Sequence, residues 1–233
     1  MVAIIEARAL VKTYDANGVR VEALRGVDLE VEKGQMVAVM GPSGCGKTTL
    51  LNTLSGIDDI TSGAVIIGGA AIHTMPDKER TRYRAQSMGF IFQAFNLLPV
   101  LSGVENIELP LLLGGMKQDA ARAKAMDTLE LVGLADQAKK RPSEMSGGQQ
   151  QRITVARAIV NDPAIIWADE PTGALDSETS REIMDLLCDL NRRGGQTFVL
   201  VTHDQGVGAR AQRVVRMRDG HIESDEQTSV ALA

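Results

Sequence analysis

Between Gly41 and Thr48 the chain reads Gly-Pro-Ser-Gly-Cys-Gly-Lys-Thr, which fits the spacing G-x-x-x-x-G-K-[ST]. Glycines at Gly41, Gly44 and Gly46, with Pro42, Ser43 and Cys45 between them, let consecutive backbone N–H groups turn inward around phosphate oxygens. Lys47 adds a point charge suited to β- and γ-phosphates. The Thr48 hydroxyl, followed by Thr49, suits a Mg²⁺ ion. A second group of candidates follows the apolar run Ile165–Ala168, where the chain continues as Asp169-Glu170. In open parallel sheets ligands gather at the carboxyl ends of the strands. Asp169 is therefore expected to hold Mg²⁺ through water, opposite Thr48, and Glu170 to orient and polarise an attacking water. Together these groups suit transfer of a nucleotide's terminal phosphoryl group to water.

A third segment, Met145-Ser146-Gly147-Gly148-Gln149-Gln150-Gln151-Arg152, opens a predicted helix over 147–161. Ser146 and the bare N–H groups of its first turn can face an anion. One phosphate loop does not need a second anion-binding helix end for the same nucleotide, but two chains packed head to tail would each supply one. Here the sequence resembles the ATP-binding cassette family, whose signature is Leu-Ser-Gly-Gly-Gln. Met145 replaces the leucine, while Ser146, Gly147, Gly148 and Gln149 are kept.

The resemblance runs over essentially the whole chain, with the motifs in family order. It implies that Tyr14 stacks on adenine, and that Gln93 touches Mg²⁺ and the attacking water and joins the core to a helical insertion. It further implies that Asp176 communicates across a dimer and that His203 contacts the γ-phosphate. Phe90–Pro99, Glu105–Pro110 and Val21–Val27 look like the branch serving lipoprotein release and macrolide or antimicrobial-peptide export. The implied assembly is a homodimer with ATP and Mg²⁺ at its interface. Integral-membrane permease subunits would hold it on the cytoplasmic face of a membrane, and residues 93–108 would transmit its closure.

The elements that must position these groups can be read from periodicity. Met36–Met40 is a short apolar run of a buried strand, and residues 47–56 read as a helix closed by Gly56. Before them, Ile4–Ala7 opens a strand, Asp15–Gly18 is a turn signal, and Val27, Leu29 and Val31 alternate with Asp28 and Glu30. Ala64–Ile67 and Met88–Phe92 are further strands. Helices are predicted over 102–113, interrupted by Pro110, and over 118–132 and 147–161. Ile165–Ala168, Thr197–Val201 and Val214–Met217 read as strands around a helix over 178–191, and the tail from Glu223 to Ala233 as mobile. Apolar strands alternating with helices indicate an α/β fold with a mostly parallel sheet covered on both faces. The resemblance adds an N-terminal antiparallel β subdomain and divides the chain into a core of about residues 1–92 and 162–233 with a helical insertion of about 94–160.

Bulk properties narrow the function classes. A chain of 233 residues with 44% hydrophobic and 24% charged residues can bury a full core. A net charge of -5 and an aromatic share of 3% give neither the basic footprint nor the stacking surface of a nucleic-acid binder. Lys78–Arg84 carries four positive charges in seven residues and reads as a solvated helix face. Two cysteines, Cys45 and Cys188, make no disulfide framework and fit a reducing compartment. Cys45, at a helix N-terminus, is either a reactive thiol or a tolerated small side chain. Trp167 is bulkier than the family's usual residue and is expected in the core, as a fluorescence reporter of nucleotide. The N-terminus lacks the basic, apolar pattern of a secretory signal, and no apolar run is long enough to span a bilayer. Two other classes stay open: a soluble cassette protein acting on nucleic acid or ribosomes, and a P-loop kinase with a small acceptor.

Overall fold

The computed structural model describes residues 2–16 and 18–229. Two sheets organise them. The first is antiparallel and contains β1 (Ala3–Ala16), β2 (Val19–Glu32), β4 (Ser62–Ile67) and β5 (Ala70–Ala71), in the order β2-β1-β4-β5. The second runs in the order β10 (His221–Gln227), β9 (Arg213–Arg218), β3 (Met36–Met40), β8 (Thr197–Thr202), β7 (Ile165–Asp169) and β6 (Met88–Phe92). Its strands are parallel except for β10, which pairs antiparallel with β9 at one edge. The helices are α1 (Lys47–Leu54), α2 (Asp77–Ser87), α3 (Gly103–Leu113), α4 (Gln118–Leu131), α5 (Gly147–Ile159), α6 (Ser177–Gly194) and the single turn α7 (Gln205–Gly208).

Side chains of successive strand residues point to opposite faces, so a strand buried on both sides feeds two cores. In β3, Val37 and Val39 join the core shared with α1 and the antiparallel sheet, whereas Met36, Ala38 and Met40 join the core under α3 to α6. β7 divides in the same way, with Ile165 and Trp167 on the α1 side and Ile166 and Ala168 on the other. Trp167 is fully buried, as expected of a core residue.

The opening strands are much longer than the short runs read from the sequence. β1 and β2 span 14 residues each and stay paired through several register shifts. Those bulges break the alternation that marks a strand in sequence. The predicted turn joins β1 to β2, although its Asn17 lies outside the described residues. Pro110 does not interrupt its helix: α3 continues through it to Leu113. A proline removes one hydrogen bond, and here the flanking Ile107 and Leu111 are buried and hold the helix together.

The predicted mobile tail needs a larger correction, because residues 223–227 lie in β10; residues 230–233 lie outside the described ones. Its sequence, His-Ile-Glu-Ser-Asp-Glu-Gln, is polar because it is an edge strand with most side chains exposed. Arg213 fixes it, donating from Nε and Nη2 to Asp225 at 2.6 and 2.5 Å and from Nη1 to the Glu30 carbonyl at 2.7 Å. The basic segment on α2 is only partly the solvated face expected: Lys78 and Arg82 are exposed, whereas Arg80 and Arg84 are half-buried. Arg80 bonds Asp59 and Asp77 at 2.6 Å each, and Arg84 bonds the Gly56 carbonyl at the end of α1. Asp225→Ala removes a charge-assisted partner from Arg213 and is expected to cost about 1–2 kcal/mol. A lower urea midpoint at unchanged slope would show it; an unchanged midpoint would mean that this bidentate pair contributes nothing.

Candidate active site

The carboxyl ends of β3, β7 and β8 open onto a cavity of about 1100 Å³. Residues Pro42 to Gly44 and Gly46 to Thr49 line one side of it, and Gln93, Asp169, Glu170 and His203 line the other. The loop after β3 is held by close backbone approach. A Cβ at Gly41 would lie 2.2 Å from the Met217 carbonyl oxygen, and one at Gly46 would lie 2.5 Å from that of Ala23. Gly46 also has φ +105 where it enters α1. Neither position admits a side chain. Cys45 is buried, with its Sγ packed beside Gly41, so it fills space in the loop.

The N-terminus of α1 has no side-chain cap and no acidic residue in its first turn, which leaves its N–H groups for an anion. The mostly buried Lys47 donates from Nζ to the Gly41 and Pro42 carbonyls at 2.9 Å each. Thr48 donates from Oγ1 to Asp169 Oδ1 at 3.2 Å. Burial raises the Asp169 pKa, and the neighbouring Glu170 charge adds to this; the Thr48 bond and Lys47 pull against it. An oxygen pair of this kind, with a half-buried carboxylate, fits a hard divalent cation. Among the described residues there is no cluster of three or more metal-binding side chains.

Glu170 adopts φ +47, a left-handed conformation that is uncommon outside glycine, and its N–H donates to the Val201 carbonyl. Its carboxylate accepts from Thr202 Oγ1 at 3.1 Å and lies 2.7 Å from His203 Nδ1. With Nδ1 donating, the Nε2 of His203 is left for another partner. Thr202 is the residue that sequence reasoning missed. A hydroxyl at the end of a buried strand beside a candidate histidine was the available signal. The wall of the cavity contributed by β2, including Val21 and Arg25, was missed as well. Its signal was the exposed valines Val19 and Val21 on a strand.

Tyr14 lies beside the cavity and outside its lining. Its hydroxyl donates to Asp58 at 2.6 Å, and Lys12 Nζ sits 4.6 Å from its ring centroid while also bonding Asp58 and the Asp59 carbonyl. Burial and the Asp58 bond raise the Tyr14 pKa. For Asp58, burial pushes upward, but donation from Lys12 and Tyr14 outweighs it and the pKa falls.

The signature segment lies elsewhere. Ser146, Gly147, Gly148 and Gln149 do not line the cavity, and neither does Asp176. Ser146 Oγ accepts from the Gln149 N–H at 3.2 Å, while Gln149 Oε1 accepts from the Ser146 N–H at 3.0 Å. The Gln149 side chain thus caps its own helix. Asp176 caps α6, accepting from the Glu178 and Thr179 N–H groups and from Thr179 Oγ1. The two helix starts touch, since a Cβ at Gly148 would come within 2.5 Å of Thr179 Cγ2. Met145, in the place of the family's leucine, is buried against Gly103.

The model of one family, described as ABC transporter, matches residues 24–173. The lipoprotein-releasing system ATP-binding protein LolD of Syntrophus aciditrophicus is 46% identical over 94% of this chain and 98% of its own length. The macrolide export ATP-binding/permease protein MacB of Rhodopseudomonas palustris is 45% identical over 98% of this chain, which corresponds to 35% of that longer protein. The dimeric structure of a post-hydrolysis state of the cassette MJ0796 bound to ADP and Pi superposes with a TM-score of 0.89 at 40% identity. It covers 96% of this chain and 98% of that one, which comes from Methanocaldococcus jannaschii.

A ring that stacks on a base contributes about 1–3 kcal/mol. Tyr14→Ala is therefore expected to weaken binding of a fluorescent adenine nucleotide by about tenfold or more. Tyr14→Phe, which keeps the ring and loses only the Asp58 bond, should weaken it far less. Equal losses in the two variants would exclude stacking by Tyr14.

Proposed function

The chain belongs to the ABC transporter family, and we propose that it is the ATP-hydrolysing subunit of a membrane complex of the export or lipoprotein-release type, driven by head-to-tail closure of two copies on two ATP molecules. The observation that carries this is the separation of two half-sites. One cavity holds Lys47, Thr48, Asp169 and Glu170, while the start of α5 at Ser146 lies outside its lining. Among the described residues no helix is long and apolar enough to cross a membrane, so permease partners would supply the membrane part and hold the chain on the cytoplasmic face.

In this reading the N–H groups of the loop and of α1 bind the phosphates, and Lys47 meets the β- and γ-phosphate oxygens. Thr48, Asp169 and Gln93 are the residues that would hold Mg²⁺, which when bound neutralises phosphate charge. Glu170, fixed by Thr202 and His203, accepts a hydrogen bond from the attacking water and takes its proton as the water oxygen bonds to the γ-phosphorus. The bond from that phosphorus to the ADP oxygen then breaks. His203 would reach the γ-phosphate with Nε2, which donates there when the ring carries a proton on both nitrogens. From the second copy, Ser146 and the Gly147–Gly148 amides cap the same phosphate, and Asp176 contacts the opposing site. Closure excludes water and completes the constellation; loss of the γ-phosphate removes the bridge and lets the copies part. The core of about 1–92 and 162–233 would carry the nucleotide, and the insertion of about 94–160 would carry the signature helix and meet the permease. A cassette acting on nucleic acid is not favoured, because the full-length relatives are transporter subunits and the chain is acidic.

Glu170→Gln is expected to keep ATP binding, lower hydrolysis by at least about a hundredfold, and trap an ATP-dependent dimer on size exclusion. A monomer that hydrolyses ATP at full rate would sink the mechanism. Ser146→Arg should bind ATP normally yet fail to hydrolyse it, and should poison wild-type chains when the two are mixed; unaffected mixtures would show that the site is complete within one chain.

A further inference from the structure

The residue after Gln93 begins a turn of unusual conformation. Phe95 and Asn96 are consecutive non-glycine residues in the left-handed region, with φ +59 and +51. L-residues avoid this region, and a strained pair persists only where the surroundings impose it. What imposes it is α5, the helix that starts at Ser146. Arg157 donates from Nη1 to the Asn96 carbonyl at 2.6 Å and from Nη2 to the Phe95 carbonyl at 2.9 Å. Thr154, one turn earlier on α5, has its Oγ1 3.2 Å from the same Phe95 carbonyl and 3.1 Å from the Gln150 carbonyl, so its one proton is shared between them.

Arg157 is unusual in its own right. It is partly buried, and among the described residues no carboxylate lies within ion-pair distance of it. Burial alone pushes its pKa below the ordinary arginine value, with no neighbouring charge to offset it. A guanidinium removed from water without a counter-charge is retained where its planar fork meets a matching set of acceptors. Two carbonyls turned the same way by left-handed residues form such a set. Downstream, the buried Asn106 holds the rest of the loop, accepting from the Leu98 N–H while the two protons of its Nδ2 serve the carbonyls of Leu98, Leu101 and Ser102, all within 3.2 Å.

We propose that Arg157 is a positioning residue that fastens the turn after Gln93 to the signature helix, so that Gln93 reaches the nucleotide only in step with the helix whose start caps the opposing site. The inference rests on the reading that Gln93 acts at the nucleotide. Arg157 touches neither ATP nor water; it acts through Gln93, three residues before the clamped Asn96. Thr154 supplies the second point of the same attachment.

A double-mutant cycle on the isolated chain, where no permease is present to dock, tests this through kcat and KM for ATP. Gln93→Ala and Arg157→Met are each expected to lower kcat about tenfold with KM changed less than about twofold, because the first removes Gln93 from the reacting state and the second its positioning there. The double variant should be no slower than the slower single one, since both changes break one linkage. Arg157→Lys, which restores a donor, should recover part of the rate. Multiplying losses in the double variant, or a rise in KM matching the fall in kcat, would overturn the proposal. If Arg157→Met fails to fold, Thr154→Val takes its place in the cycle and should show the same non-additivity at smaller amplitude; additivity there overturns the proposal too. Full activity of Gln93→Ala would instead remove the role assigned to Gln93, and with it the proposal, while Glu170→Gln still trapped a dimer and left the wider reading standing.

Discussion

The parallel register of four strands is the constraint on which the site depends. Phe92 on β6 lies beside Asp169 on β7, Asp169 beside Val201 on β8, and Val201 beside Val39 on β3. One residue further along each chain stand Gln93, Glu170, Thr202 and Met40, the last preceding the phosphate loop. The active groups are thus a single row across the sheet edge, although more than a hundred residues separate the first from the last. A slip of one residue in any pair would send an entire strand's side chains to the wrong face. The two cores forbid such a slip, since each strand supplies alternate residues to both.

The same alternation gives the two carboxylates different surroundings. Asp169 falls on the face of Ile165 and Trp167, towards α1, and so meets Thr48. Glu170, next in sequence, leaves the strand through a left-handed residue, a conformation costing on the order of 1–3 kcal/mol outside glycine. Its N–H is still tied to Val201, and its carboxylate is caught by Thr202 and His203. The strain is balanced by three hydrogen bonds to the neighbouring strand and its exit. The result is a carboxylate held before any substrate arrives, as electrostatic preorganisation requires.

What could be read from the sequence follows from this geometry. The phosphate loop, the Asp169-Glu170 pair and the signature segment are contiguous motifs, so their chemistry survives in linear order. The apolar runs of β3, β7 and β8 are visible because burial on both faces confines polar residues to the strand ends. Thr202 was hidden because its meaning comes from a neighbour 32 positions away, and the Tyr14 anchor because Asp58 lies 44 positions on. β10 was hidden because an exposed edge strand has the composition of a tail. Its antiparallel pairing with β9 and the Arg213–Asp225 pair, both tertiary contacts, mark it as ordered.

Helices α1, α5 and α6 differ in how the N–H groups at their starts are satisfied. α6 is closed by Asp176, whose carboxylate takes two N–H groups and a hydroxyl and so already supplies the negative charge a helix start favours. It has little to offer a phosphate. α1 is the opposite case: Gly46 provides no side chain, and its first turn is free of acid. α5 lies between them. Its capping box satisfies the Ser146 and Gln149 N–H groups with neutral partners, which leaves the Gly147 and Gly148 amides and the Ser146 hydroxyl proton available. A neutral cap organises the helix end without repelling an anion, whereas an acidic cap would. In the proposed head-to-tail dimer, α5 would thus meet the phosphate that α1 of the second chain holds.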